Sequence, residues 1–169
     1  MKDKHWTNIN IDYVIFKDND GNEVNHRDYE KMLIKGDSLD VCNIHNEDLV
    51  FIKKLTLHEY SEDSDLPKCF VFHDKEQEFL ARYVWKKFNI FEDSWDDVFK
   101  SIVESETFNK KIRSDIRYIN DEFMYHSLRI PKNVSNISIV TKLNEDDKFI
   151  FDWVDSCEIF GEIKYSYTR

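Results

Sequence analysis

The chain predicts an α+β fold, mainly β, in one domain. Short runs rich in β-branched and aromatic residues recur between turn-forming clusters, at residues 49–57, 69–72, 79–85, 134–143, 148–154 and 158–167. Helical periodicity is confined to residues 93–126, which reads as a two-helix insertion in a sheet protein. Hydrophobic residues make up 41% of the 169 positions and aromatics 15%, enough for a packed core in a domain of this size.

In chain order, residues 8–16 start with alternation and end apolar, as a strand does. Asn19, Asp20, Gly21 and Asn22 supply turn chemistry, and this Asp-rich turn lacks the twelve-residue spacing of a calcium loop. Residues 23–31 are polar and read as a loop or short helix. They lead into a central stretch, 32–52, made of an apolar run, a glycine corner, a polar turn and a second apolar run. After the strand at 49–57, residues 58–67 read as an acidic loop closed by Pro67. The runs around 69–72 and 79–85 flank a polar turn and read as a hairpin. Trp95, Val98, Phe99, Ile102 and Val103 fall at helical spacing, with Asp93 or Ser94 placed to cap the start. A second helical set is Phe108, Ile112, Ile116, Ile119 and Phe123. Both stripes fit core-facing helices, or alternatively a face for a partner. Pro131 marks the return to strands, and residues 144–147 form a turn between two of them. The aromatic group Tyr83, Trp85, Phe88, Phe91 and Trp95 bridges hairpin and first helix, as core or as a contact surface.

Composition narrows the function classes. Asp and Glu outnumber Lys and Arg by 34 to 24, a net charge of −10, which repels a phosphate backbone, so no nucleic-acid partner is expected. With three Gly, phosphate-cradling glycine loops are not expected. Cys42, Cys69 and Cys157 are far apart and without C-x-x-C spacing, and read as three buried thiols in a reducing compartment. No stretch reaches the length of a membrane span and the N-terminus lacks a signal-peptide core, so a soluble, cytoplasmic protein without membrane contact is expected. His45 with Glu47 and Asp48, or His73 with Asp74, lack metal-ligand spacing, and neither metal nor cofactor is expected. Carboxylate pairs such as Asp96–Asp97 and Asp146–Asp147 carry no specific signal for acid–base work.

Gly36-Asp37-Ser38-Leu39 is the stretch with chemical content, since a serine on a glycine corner is a candidate nucleophile. The four residues match the nucleophile block of the GDSL esterases and lipases. That family also has an Asp-x-x-His block, and none of the six histidines lies three residues after an aspartate. Over a longer span, Ile34-Lys35-Gly36-Asp37-Ser38-Leu39 followed by Asn46-Glu47-Asp48-Leu49-Val50-Phe51-Ile52 resembles the LexA- and UmuD-type self-cleaving proteins and the signal peptidases. The family has a Gly-x-Ser-Met corner and an acidic turn feeding an apolar strand; Leu39 stands here for the Met. The hairpin at 70–84 and the glycine-containing strand Ile159-Phe160-Gly161-Glu162-Ile163-Lys164-Tyr165 extend the likeness. The resemblance implies a strongly bent β-ribbon or small-barrel scaffold.

It also implies a Ser-Lys dyad, in which a desolvated lysine takes the serine proton. On the alignment of Phe79-Leu80-Ala81-Arg82-Tyr83 with the second hairpin strand, Ala81 occupies the base position and Arg82 that of the following arginine. Alanine accepts no proton, so the base is lost unless Lys75 in the hairpin turn, or Lys86 or Lys87 beyond the strand, replaces it. No Ala-Gly or Cys-Gly cleavage dipeptide precedes Ser38. Two readings follow: a non-catalytic interaction or regulatory module, in which Ser38 caps a turn, or an active serine peptidase or self-cleaving protein with Ser38 as nucleophile. A protein partner is expected, and by resemblance a homodimer through the C-terminal strands.

Overall fold

A computed structural model describes residues 16–17, 20–74, 76, 78–104, 121, 124–143 and 149–167. The first predicted strand falls outside them except for its end, where β1 (Phe16–Lys17) pairs with β2 (Glu23–Val24) across the predicted turn. Gly21 takes φ +83° there, a conformation glycine adopts without strain. The second predicted helix, apart from helical residues at 121 and 124–126 near its end, and the 144–147 turn also lie outside the described residues.

Among the described residues the body of the protein is one seven-stranded antiparallel sheet with few helices, so the fold there is mainly β. Its strands are β3 (Glu30–Leu33), β4 (Leu49–Lys54), β5 (Lys68–His73), β6 (Phe79–Asn89), β7 (Asn136–Leu143), β8 (Phe149–Asp155) and β9 (Ile159–Tyr167). They lie in the order β3-β4-β9-β5-β6-β7-β8. The last strand is thus central: β9 joins the β3–β4 pair to the β5–β6 hairpin. That junction is tight. A Cβ on Gly161 would lie 2.4 Å from the Lys53 carbonyl oxygen and 2.7 Å from Ile52 Cγ2, so only glycine fits where β9 passes β4. At Gly161 and Glu162 the β9 ladder is paired on both sides, to β4 and to β5. A dimer through this strand therefore has no free backbone edge at those two positions.

Alternation along the strands sends side chains to separate clusters. Val50 and Ile52 of β4 pack with Met32, Ile34 and Leu39, and with Val71, Phe79 and Ala81 of the hairpin. Leu49 and Phe51 take the other face and are also fully buried. On β7, Ile137 and Ile139 join Trp85, Phe88 and Phe151 under α2 (Trp95–Val103), while Val140 meets Tyr60, Phe70, Phe72 and Val84 on the opposite side. Ser94 precedes helix α2; its carbonyl accepts the Val98 amide at 3.1 Å and its hydroxyl lies 3.5 Å from the Asp97 amide. Of the bridging aromatics, Trp85 and Phe88 are buried and Phe91 is 77% exposed.

Three segments differ from their sequence reading. Strand β6 runs four residues past the predicted 79–85, so Lys86 and Lys87 lie on it and not beyond it, paired with β7. Residues 23–31 hold β2, a 3-10 turn (His26–Asp28) and the start of β3. Residues 57–62 form helix α1 (Leu57–Glu62), not a strand end and a loop. The Thr56 hydroxyl accepts the Glu59 amide at 3.1 Å, and the Glu59 carboxylate accepts the Thr56 amide at 3.0 Å, a complete capping box. α1 seats Tyr60 in the core, where its hydroxyl is 2.5 Å from Ser138 Oγ; Ser138 lies 2.9 Å from Ser156 Oγ. Burial pushes the Tyr60 phenol far above its ordinary value, against the Ser138 bond. Among the described residues no helix is long and apolar enough to cross a membrane.

Candidate functional site at the Ser38 corner

The corner is built by backbone pairing across its base. Ile34 donates to the Asp48 carbonyl at 2.9 Å and accepts from the Glu47 amide at 2.7 Å, so residues 35–46 close as a loop on the β3–β4 pair. Gly36 turns the chain with φ +89°, and its amide is held by Asn46 Oδ1 at 2.8 Å. Leu39, with no exposed surface, drops from the corner into the β3–β4 cluster and anchors it. A 3-10 turn follows (Asp40–Cys42) and ends on Asn43 in the left-handed region. His45 braces the loop, with Nδ1 2.8 Å from Asp40 Oδ1 and Nε2 2.9 Å from Asn43 Oδ1. The buried Asp48 carboxylate accepts the His45 amide at 2.8 Å. Among the described residues no group of three or more His, Cys, Asp or Glu side chains is placed to hold a metal ion.

Ser38 opens onto a cleft of about 170 Å³ between this corner and the hairpin, lined also by Lys35, Glu78, Phe79, Ala81 and Arg82. The residue that meets Ser38 is Arg82: its Nη1 donates to Ser38 Oγ at 3.2 Å and to the Ala81 carbonyl at 2.8 Å. Burial lowers the Arg82 guanidinium pKa, opposed by the charge of Asp152 on β8. Arginine stays protonated under physiological conditions whatever this balance. Ala81, 8% exposed, lines the same cleft.

Lys75, Lys86 and Lys87, the lysines weighed as substitute bases, and Lys35, which no sequence signal singled out, divide as follows. Lys75 lies outside the described residues. Lys87 is engaged elsewhere, donating to the carbonyls of Tyr60 and Asp63 at the end of α1, with its ammonium 4.5 Å from the Tyr60 ring centroid. That position suits a cation at a helix C-terminus. Lys86 is exposed on β6 and does not line the cleft. Lys35 lines it and is exposed to solvent.

The structure also joins residues that sequence spacing had separated. Cys42, on the limb after Ser38, and Cys69, on β5, bring their sulfurs to 2.9 Å as free thiols. Both are half-buried and Cys157 is exposed, so the three do not form a uniform set of buried thiols. No local motif announces this pairing, which depends on how the corner loop folds back on the hairpin. A larger cleft of about 290 Å³ lies near the end of α1, between Leu57, Tyr60, Lys87, Asn89, Asn136 and Cys157. Its components are scattered along the chain and carry no common sequence signal. No family model, curated protein or solved structure matches the chain.

Proposed function

We propose that the chain is a non-catalytic interaction module on a LexA-type, peptidase-like scaffold, in which the Ser38 cleft receives a segment of a protein partner. The observation that carries this reading is the guanidinium on Ser38. A catalytic serine needs a group that takes its proton, and Arg82 offers a permanent cation that only donates. The aligned base position is the methyl group of Ala81, in the same cleft. What remains is a recessed site with hydrogen-bond donors and an apolar floor of Phe79, Ala81 and Leu39, suited to a carbonyl or carboxylate beside an apolar side chain. The mainly antiparallel sheet and the corner set against the hairpin support the scaffold assignment.

A peptide-display library panned against the full chain tests the reading. Enriched peptides are expected to lose affinity about tenfold on Arg82→Met, the cost of one charge-assisted contact, in a variant whose circular dichroism matches the parent. Equal binding by the variant would overturn the assignment of the cleft. The competing reading, Ser38 as a nucleophile, rests on the partial exposure of Ser38 in a cleft that Lys35 also lines. It requires serine-dependent acylation or phosphonylation.

A further inference from the structure

We propose that Cys42 and Cys69 form a reversible disulfide on exposure to hydrogen peroxide, tying the Ser38 corner to strand β5. The proposal stands on geometry and is independent of what the cleft binds. The two sulfurs lie 2.9 Å apart, inside the contact distance of two non-bonded sulfurs, so a bond requires only a small approach. One thiol sits on the 3-10 turn that ends the corner and the other on a core strand of the hairpin. The bond would close a chain separation of 27 positions between two parts of the fold already in contact.

The chemical asymmetry of the pair gives each sulfur a role. Cys69 hydrogen-bonds to Cys42 and favours its thiolate, lowering the Cys42 pKa against the cost of burial. The same contact, with burial, pushes the Cys69 thiol up. The Cys42 thiolate, its proton lost to solvent, attacks one peroxide oxygen. The O–O bond breaks, hydroxide departs and takes up a proton as water, and Cys42 becomes a sulfenic acid. The Cys69 sulfur then attacks the Cys42 sulfur; the S–O bond breaks, and the hydroxyl leaves with the Cys69 proton as a second water. In sum one peroxide and two thiols give one disulfide and two waters. A dithiol reductant restores both thiols by exchange. Cys157 is the internal contrast: it is exposed, but partial burial and the carboxylates of Asp155 and Glu158 raise its pKa.

The test treats the reduced full chain with stoichiometric hydrogen peroxide and maps its peptides without reduction. The expected product is one cross-link, Cys42 to Cys69, with the loss of two hydrogens, reversed by dithiothreitol and unchanged in Cys157→Ser. The closed loop should raise Tm by roughly 6–12 °C in a two-state unfolding scan. Cys69→Ser should instead accumulate a Cys42 sulfenic acid that a cyclic 1,3-dione traps. Oxidation at Cys157 with Cys42 and Cys69 still reduced would overturn the proposal, as would sulfinic acid at Cys42 of the parent protein without the cross-link.

Discussion

Arg82 Nη1 donates to Ser38 Oγ across 3.2 Å, joining the hairpin to a glycine corner 44 positions earlier in the chain. The same nitrogen donates to the Ala81 carbonyl at 2.8 Å, so one guanidinium spans the serine and the backbone of the hairpin strand. A serine bonded to a fixed cation donor is oriented but not activated.

Replacement of Arg82 by Met keeps most of the side-chain volume and removes both bonds. The expected loss is about 1–2 kcal/mol in urea unfolding, for a partly buried, charge-assisted pair. Ser38→Ala removes one bond alone and should cost about 0.5–1 kcal/mol. Equal costs for the two variants would show that the Ala81 contact contributes nothing.

Gly161→Ala should be among the most damaging small substitutions. The added methyl meets Lys53 backbone at 2.4 Å, and the β4–β9 junction must part to admit it. A loss of about 3 kcal/mol is expected from overpacking at a backbone contact. Gly36→Ala meets no neighbouring atom and is penalised only by φ +89°, about 1 kcal/mol. Guanidinium titration of the two variants should reproduce that order.

Tyr60→Phe deletes the hydroxyl that meets Ser138, but Ser138 keeps Ser156 as a partner at 2.9 Å. The cost should be near 1 kcal/mol. Tyr60→Ala also empties the ring site, which stands edge-on to Phe70 at 4.9 Å and to Phe72 at 5.8 Å, and should cost about 4 kcal/mol. Thermal unfolding of both variants checks the division between ring and hydroxyl.

Lys68 reaches Asp63 Oδ2 at 3.0 Å and Glu162 Oε1 at 3.7 Å, linking the segment after α1 to β5 and β9. Burial opposes the Asp63 charge, but the Lys68 bond, the Asp65 amide and the charges of Lys68 and Lys87 outweigh it and hold the carboxyl below its usual value. Burial also opposes the Lys68 charge, and the Asp63 bond and Glu162 outweigh it, raising the ammonium. The Asp63 contribution is therefore full above the unfolded value of about 3.9 and disappears as pH falls through the folded one. The Lys68 contribution is full below about 10.4 and disappears as pH rises through its folded value. Lys68→Met should cost roughly 1 kcal/mol between about pH 5 and 10, after allowance for solvent screening. The gap from the parent should close at both extremes; a gap independent of pH would contradict the ion pairing.

Sheet content was legible because strand residues carry their own signal. Residues 69–72 and 79–85 anticipate the β5–β6 hairpin, and residues 134–143, 148–154 and 158–167 anticipate β7, β8 and β9 to within two positions at each end. Helix α1 was not read, although Thr56 and Glu59 form a capping-box pair, because Leu55-Thr56-Leu57 continues the strand composition of β4. Strand order was beyond reach: that β9 inserts between β4 and β5 depends on a backbone approach at Gly161, which local pattern does not encode. At the site, Ser38 and Ala81 were singled out from the corner and the alignment. The donor role of Arg82 toward Ser38 and the meeting of Cys42 with Cys69 arise only when the corner folds against the hairpin.

The central proposal is that Ser38 does not act as a nucleophile, Arg82 being the cleft residue that bonds it among the described residues. Intact-mass analysis of the full chain and of Ser38→Ala, each incubated with a fluorophosphonate probe from neutral to mildly alkaline pH, tests it most directly. The account predicts an unlabelled, uncleaved chain in both cases. A phosphonyl adduct on the parent protein that disappears in Ser38→Ala would contradict it and establish a serine hydrolase.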